Sequence, residues 1–157
     1  MTKLIESDLT VDGGSTLHVY DTGTGDLPIL WHHGTPSTGS PPAPLFAAAE
    51  RWGVRWVGWD RPGYGGSSPQ PDRPVASAAT YAAQVADTLG LHRFAVMGHL
   101  GGGPHALACA ALLPGRVIAA VTVASLTPYG AAGLSTTSPA CAPPGWRRWR
   151  RQRRGAR

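Results

Sequence analysis

The sequence predicts an α/β fold: a mostly parallel sheet of about six strands with flanking helices, followed by a disordered basic tail. Three observations lead there. Short apolar runs alternate with stretches of helical period from about residue 28 onward. The 21 glycines and 15 prolines fall mostly between those runs, where turns need them. After Leu134 the alternation stops and arginines take over.

Taken in order, Leu4 to Val11 and Leu17 to Tyr20 read as strands joined by the turn Asp12-Gly13-Gly14. Pro28-Ile29-Leu30-Trp31 is a third strand, stopped by His32-His33-Gly34-Thr35-Pro36. Pro44 to Trp52 reads as a short helix with Leu45, Phe46, Ala49 and Trp52 at helical spacing. Val54 to Trp59 is a fourth strand, ended by Asp60-Arg61-Pro62-Gly63-Tyr64-Gly65. Val75 to Leu89 is the best helix, because Ala78, Tyr81, Ala82, Val85 and Leu89 share a face and Gly90 stops it. Phe94 to Met97 is a fifth strand, turning through Gly98-His99-Leu100-Gly101-Gly102 into a helix from about Gly103 to Leu113. Val117 to Ala124 is the sixth strand. The alternation of strand and helix from the third strand onward indicates parallel pairing with helices on the faces.

A chain of 157 residues predicts one domain that buries about 70% of its unfolded surface. It contains no apolar run of about 18 residues, so no membrane span is expected. Met1 to Thr10 lacks an apolar segment and carries Glu6 and Asp8, unlike a secretory signal, and a cytoplasmic location is the expectation. Cys109 and Cys141 make neither a disulfide framework nor a metal site, and no cofactor is expected. The net charge of +5 belongs to one end. Seven of the 14 basic residues are Arg147, Arg148, Arg150, Arg151, Arg153, Arg154 and Arg157. Residues 1–134 hold the other seven against all nine acids, a net charge of −2. The chain therefore divides into a core, 1–134, and an Arg-rich tail, 135–157, whose prolines and missing periodicity predict disorder.

The chemically informative segment is Phe94 to Leu113: strand, tight glycine turn, helix. Small residues on both sides of a central position let the backbone pass close to itself and hold that residue on a strained turn, its side chain aimed into a site. Gly98 and Gly102 are the small positions and Leu100 is central. With His33-Gly34-Thr35-Pro36 after the third strand and Asp60 to Ser67 after the fourth, the chain resembles the first half of the α/β-hydrolase fold superfamily over residues 1–134. That resemblance implies hydrolysis of a small-molecule ester or similar bond by a Ser-His-Asp mechanism. It places the nucleophile at position 100 and the oxyanion-hole donors on the backbone N–H groups of Thr35 and Gly101, with His33, Gly34, Gly98 and Gly102 supporting elbow and loop. It also implies an acid and a base histidine beyond residue 134. Leucine has no lone pair to attack with and no proton to give. The expectation is a truncated, catalytically inactive chain.

Other residues read as structural. His99 is turned by elbow geometry toward packing, His32 and His33 order the oxyanion loop, and His105 lies partly buried on its helix. Asp60 opens a turn, and Trp31, Trp56 and Trp59 fill the core. A dinucleotide site at Gly98 to Gly103 would need an acid about 20 residues on, and the sixth strand ends at Ala124-Ser125 with none near.

Two expectations concern the tail and the last strand. Ser135 onward reads as translated out of frame: with permitted, mostly GC-rich codons, skipping two bases yields a helix-forming, mildly acidic string without the arginine run. The alternative is a non-catalytic binding protein, its seven arginines with Trp146 and Trp149 contacting nucleic acid or anionic surfaces weakly and without sequence specificity. An uncovered sixth strand predicts dimerisation or aggregation through that edge.

Overall fold

A computed structural model describes residues 3–126, which form one compact unit. The expectations for residues 135–157 and for Cys141 lie outside the described residues. Six strands, β1 (Ile5–Val11), β2 (Ser15–Asp21), β3 (Leu27–His32), β4 (Val54–Trp59), β5 (Phe94–His99) and β6 (Val117–Val123), form one sheet in the order β1-β2-β4-β3-β5-β6. β1 pairs antiparallel with β2, and β2 antiparallel with β4. The β4-β3-β5-β6 ladder is parallel throughout. The helices are α1 (Phe46–Arg51), α2 (Ser77–Thr88) and α3 (Gly103–Leu112).

Strand alternation sorts side chains to two faces. Leu30, Val57, Trp59, Phe94 and Val96 pack with Ala78, Ala82, Val85 and Ala86 of α2 and Ala106 and Cys109 of α3. Burying a side chain such as Leu30 or Phe94 completely stabilises the fold by roughly 1.5–3 kcal/mol. On the opposite face, Trp31 and Trp56 meet edge-on at 6.2 Å and enclose Ala49 of α1. The small buried residues of α2 (Ala78, Ala79, Ala82, Ala86) and α3 (Gly103, Ala106, Cys109) let these helices lie close to the sheet and to each other.

One expected element is shorter than the sequence predicts. Pro42 to Leu45 opens with a 3-10 turn, α1 covers only six residues, and Trp52 is its C-cap at φ −104° and ψ 9°. The helical spacing that would bury Trp52 ends before it reaches it, and its side chain is 74% exposed. β6 is the outer strand of the described sheet, and six of its seven residues are exposed. No helix among the described residues is long and apolar enough to cross a membrane.

Candidate functional site

The site lies where the C-terminal ends of β3 and β5 meet the start of α3. β5 ends in extended conformation at His99, and the chain then turns through Leu100 to Gly102 into α3. Leu100 sits at φ 49°, a left-handed conformation that costs a non-glycine residue about 1–2 kcal/mol. Its side chain is 38% exposed. Room for the turn depends on the flanking glycines. A Cβ on Gly98 would lie 2.4 Å from the Gly102 carbonyl oxygen, and one on Gly102 would lie 1.9 Å from that of His32. Gly101 is not held in this way, since a Cβ there would meet only Leu126, at 4.0 Å.

The loop after β3 lies against this turn. A Cβ on Gly34 would come within 2.9 Å of the Leu100 Cβ. His33 fixes the loop. Its Nε2 accepts the backbone N–H of Arg61 at 3.0 Å, which leaves the proton on Nδ1 to be donated to the Gly34 carbonyl oxygen at 2.9 Å. Burial is the main reason its pKa falls to about 4, so the ring is neutral near pH 7. Arg61, 5% exposed, donates through its guanidinium to the His33 carbonyl oxygen and, at 3.5 Å, to the Thr35 hydroxyl. Burial draws the Arg61 pKa down, and its Nε has no hydrogen-bond partner. The Tyr64 hydroxyl meets that of Thr35 at 2.8 Å, and the Arg61 guanidinium stands 4.9 Å above the Tyr64 ring. Arg61 and Tyr64 thus brace the loop carrying Thr35, a role the sequence reading did not give them. The one available signal was their place in Asp60-Arg61-Pro62-Gly63-Tyr64.

Of the remaining histidines near the turn, His32 and His105 make side-chain hydrogen bonds and His99 stacks on an aromatic ring. His32 is buried beside Cys109, with Nε2 3.6 Å from Sγ, and burial drives its pKa to about 3. His105 donates through Nδ1 to the Gly101 carbonyl oxygen at 3.0 Å and accepts at Nε2 from Arg73 at 3.5 Å. Burial lowers its pKa to about 4. His99 stacks on Trp31 at 6.1 Å and lines a cavity of about 460 Å³ on the α1 side of the sheet, bordered by Met97, Val123 and Ser37. Asp60 is fully buried and accepts backbone N–H groups from Gly39 at 2.6 Å and Gly66 at 2.9 Å. Its carboxylate therefore organises loops and orients none of these imidazoles. Trp31, Trp56 and Trp59 are all buried. No cluster of metal-ligating side chains occurs among the described residues.

The family described as alpha/beta hydrolase fold matches residues 28–151, a span that runs past Leu134 into the arginine-rich segment. A predicted CIB-like hydrolase from Thermoplasma acidophilum is 21% identical with a TM-score of 0.63, covering 78% of this chain and 64% of its own. An epoxide hydrolase variant from Vigna radiata is 24% identical with a TM-score of 0.62, covering 80% of this chain and 41% of its own. A thermophilic esterase from Thermogutta terrifontis is 26% identical with a TM-score of 0.62, covering 79% and 46%. The chain thus spans 41–64% of the length of these three structures. A search of curated proteins finds no match.

Proposed function

Because the chain belongs to the α/β-hydrolase fold family, we propose that it is a hydrolase-type scaffold that does not itself hydrolyse. Its ancestry is an enzyme that cleaved a small-molecule ester or similar bond by a Ser-His-Asp mechanism. The carrying observation is Leu100 at φ 49° between two close-packed glycines, where the fold presents its nucleophile. Thr35 and Gly101 are the proposed oxyanion-hole donors, with His33, Gly34, Gly98 and Gly102 shaping elbow and loop. Donors placed for a developing oxyanion accelerate acyl transfer only when something attacks.

The histidines argue the same way. All six in the sequence, His18, His32, His33, His92, His99 and His105, lie within the described residues. None of the four near Leu100 combines a free ring nitrogen aimed at the apex with a carboxylate partner to orient it. A panel of short-chain and aryl esters, assayed with the full chain, tests the reading: rates equal to those in buffer support it, and turnover that saturates with substrate refutes it.

The second reading, a non-catalytic binding protein, rests on the seven arginines and on Trp146 and Trp149 near the C-terminal end of this sequence. It calls for weak, sequence-blind association with nucleic acid that disappears above physiological salt. Tight, sequence-selective binding contradicts it.

A further inference from the structure

The β1–β2 hairpin carries a charged cluster that the candidate site does not use. In the strand register Asp8 stands opposite His18, and Glu6 opposite Tyr20. His18 Nδ1 lies 2.7 Å from the Asp8 carboxylate, and Nε2 lies 3.1 Å from that of Glu6. A neutral imidazole has a single N–H and can donate to only one of these carboxylates; both contacts are hydrogen bonds only in the imidazolium form. The carboxylates approach opposite ring nitrogens, so they do not converge on a point as metal ligands would.

The same residue is gripped by the loop after β4. Ser67 Oγ accepts the His18 backbone N–H at 2.9 Å, and the Asp60 backbone N–H donates to the His18 carbonyl oxygen at 2.9 Å. A Cβ on Gly66 would lie 3.0 Å from His18 Cβ and Cγ. The titratable groups facing the ring are Glu6 and Asp8 from β1, Tyr20 edge-on at 4.9 Å from β2, and Asp60 from the loop.

We propose that His18 is a proton-operated clasp: doubly protonated, it ties β1 to β2 beneath the loop of residues 60–68, and on losing one proton it frees a carboxylate and loosens that loop. The loop also carries Tyr64, whose hydroxyl meets that of Thr35 in the segment lying against Leu100. The surroundings agree in direction. The hydrogen bond to Asp8 is the largest influence and raises the His18 pKa above its ordinary 6.5, with burial opposing it. A folded-state pKa above the unfolded one gives stabilisation that is complete below 6.5 and is lost as pH rises through the folded-state value.

The test is an NMR titration of the full chain between about pH 5 and 9, following the His18 ring and the backbone amides of Gly63 to Ser68. The proposal expects a ring midpoint above 6.5 and shifts at Gly66 and Ser67 sharing that midpoint. Asp8→Asn, or Glu6→Gln if the first variant does not fold, moves the midpoint down, and His18→Gln abolishes the pH-dependent shifts of the loop amides. A wild-type midpoint at or below 6.5, or loop amides that ignore the ring's titration, overturns it.

Discussion

Gly102 passes so close to His32 that a Cβ on the glycine would stand 1.9 Å from the histidine's carbonyl oxygen. The contact fastens the start of α3 to the end of β3, and no side chain can yield there because both partners are backbone. Gly102→Ala should therefore destabilise the fold by roughly 3 kcal/mol. Gly115→Ala, with nothing within 4 Å of the added carbon, should change stability by less than about 0.5 kcal/mol. Urea unfolding of the two variants checks this, and equal midpoints would show that the elbow is not packed as described.

Leu100 supplies a second prediction through its backbone. A leucine at φ 49° carries about 1–2 kcal/mol of strain, and glycine does not. Leu100→Gly should raise stability by about 1 kcal/mol after the small loss of packing by this 38% exposed side chain. Leu100→Ala keeps the strain and should not. A stabilisation by alanine equal to that by glycine would locate the effect in the side chain instead.

Supplying a hydroxyl at the apex does not supply a proton carrier. Leu100→Ser in this chain should leave ester turnover at the buffer rate, because both ring nitrogens of His33 and of His105 are hydrogen-bonded and no imidazole near Leu100 is hydrogen-bonded to a carboxylate that would orient it as a base. Recovery of activity would mean that His33, His99 or His105 can serve as base, and a second substitution at each would show which.

Acid stability follows from two buried imidazoles. Burial holds His32 at about 3 and His33 at about 4, against 6.5 for the unfolded chain. Below 6.5 the unfolded chain binds protons at these two rings that the folded one refuses, so their contribution to stability is complete above that value and is lost as pH falls through about 4 for His33 and about 3 for His32. The loss is on the order of a few kcal/mol for the pair. Urea midpoints at pH 7, 5.5 and 4.5 measure it; a flat profile would show these rings to be solvated.

The buried thiol offers a simpler check. Cys109 has no exposed surface, and burial pushes its pKa to about 12, so it should resist alkylation by iodoacetamide while the chain is folded. Peptide mapping after labelling with and without denaturant reads it out. Rapid modification of Cys109 in the folded chain would contradict the packing of α3.

The glycine spacing around Leu100 was legible before any coordinates because it reflects a local demand: a sharp turn between strand and helix leaves no room for a Cβ at Gly98 or Gly102. Val54 to Trp59 was legible for a similar reason, being a short apolar run closed by turn residues at both ends. What escaped was non-local. Arg61 braces His33 from 28 residues away, and Tyr64 meets Thr35 across 29, so no period or neighbouring motif announces either contact. Trp52 leaves the helical face that its spacing predicts because α1 stops one residue before it. The clasp at His18 was invisible in the same way, since it depends on a cross-strand register that pairs Asp8 with His18.

The measurement that bears most directly on the account is intact-mass spectrometry of the full chain mixed with an activated ester such as p-nitrophenyl butyrate, with the denatured chain as control. A leucine at the apex of the turn predicts no acyl adduct beyond that control and no burst of nitrophenol. A stoichiometric adduct that forms only on the folded chain would contradict it.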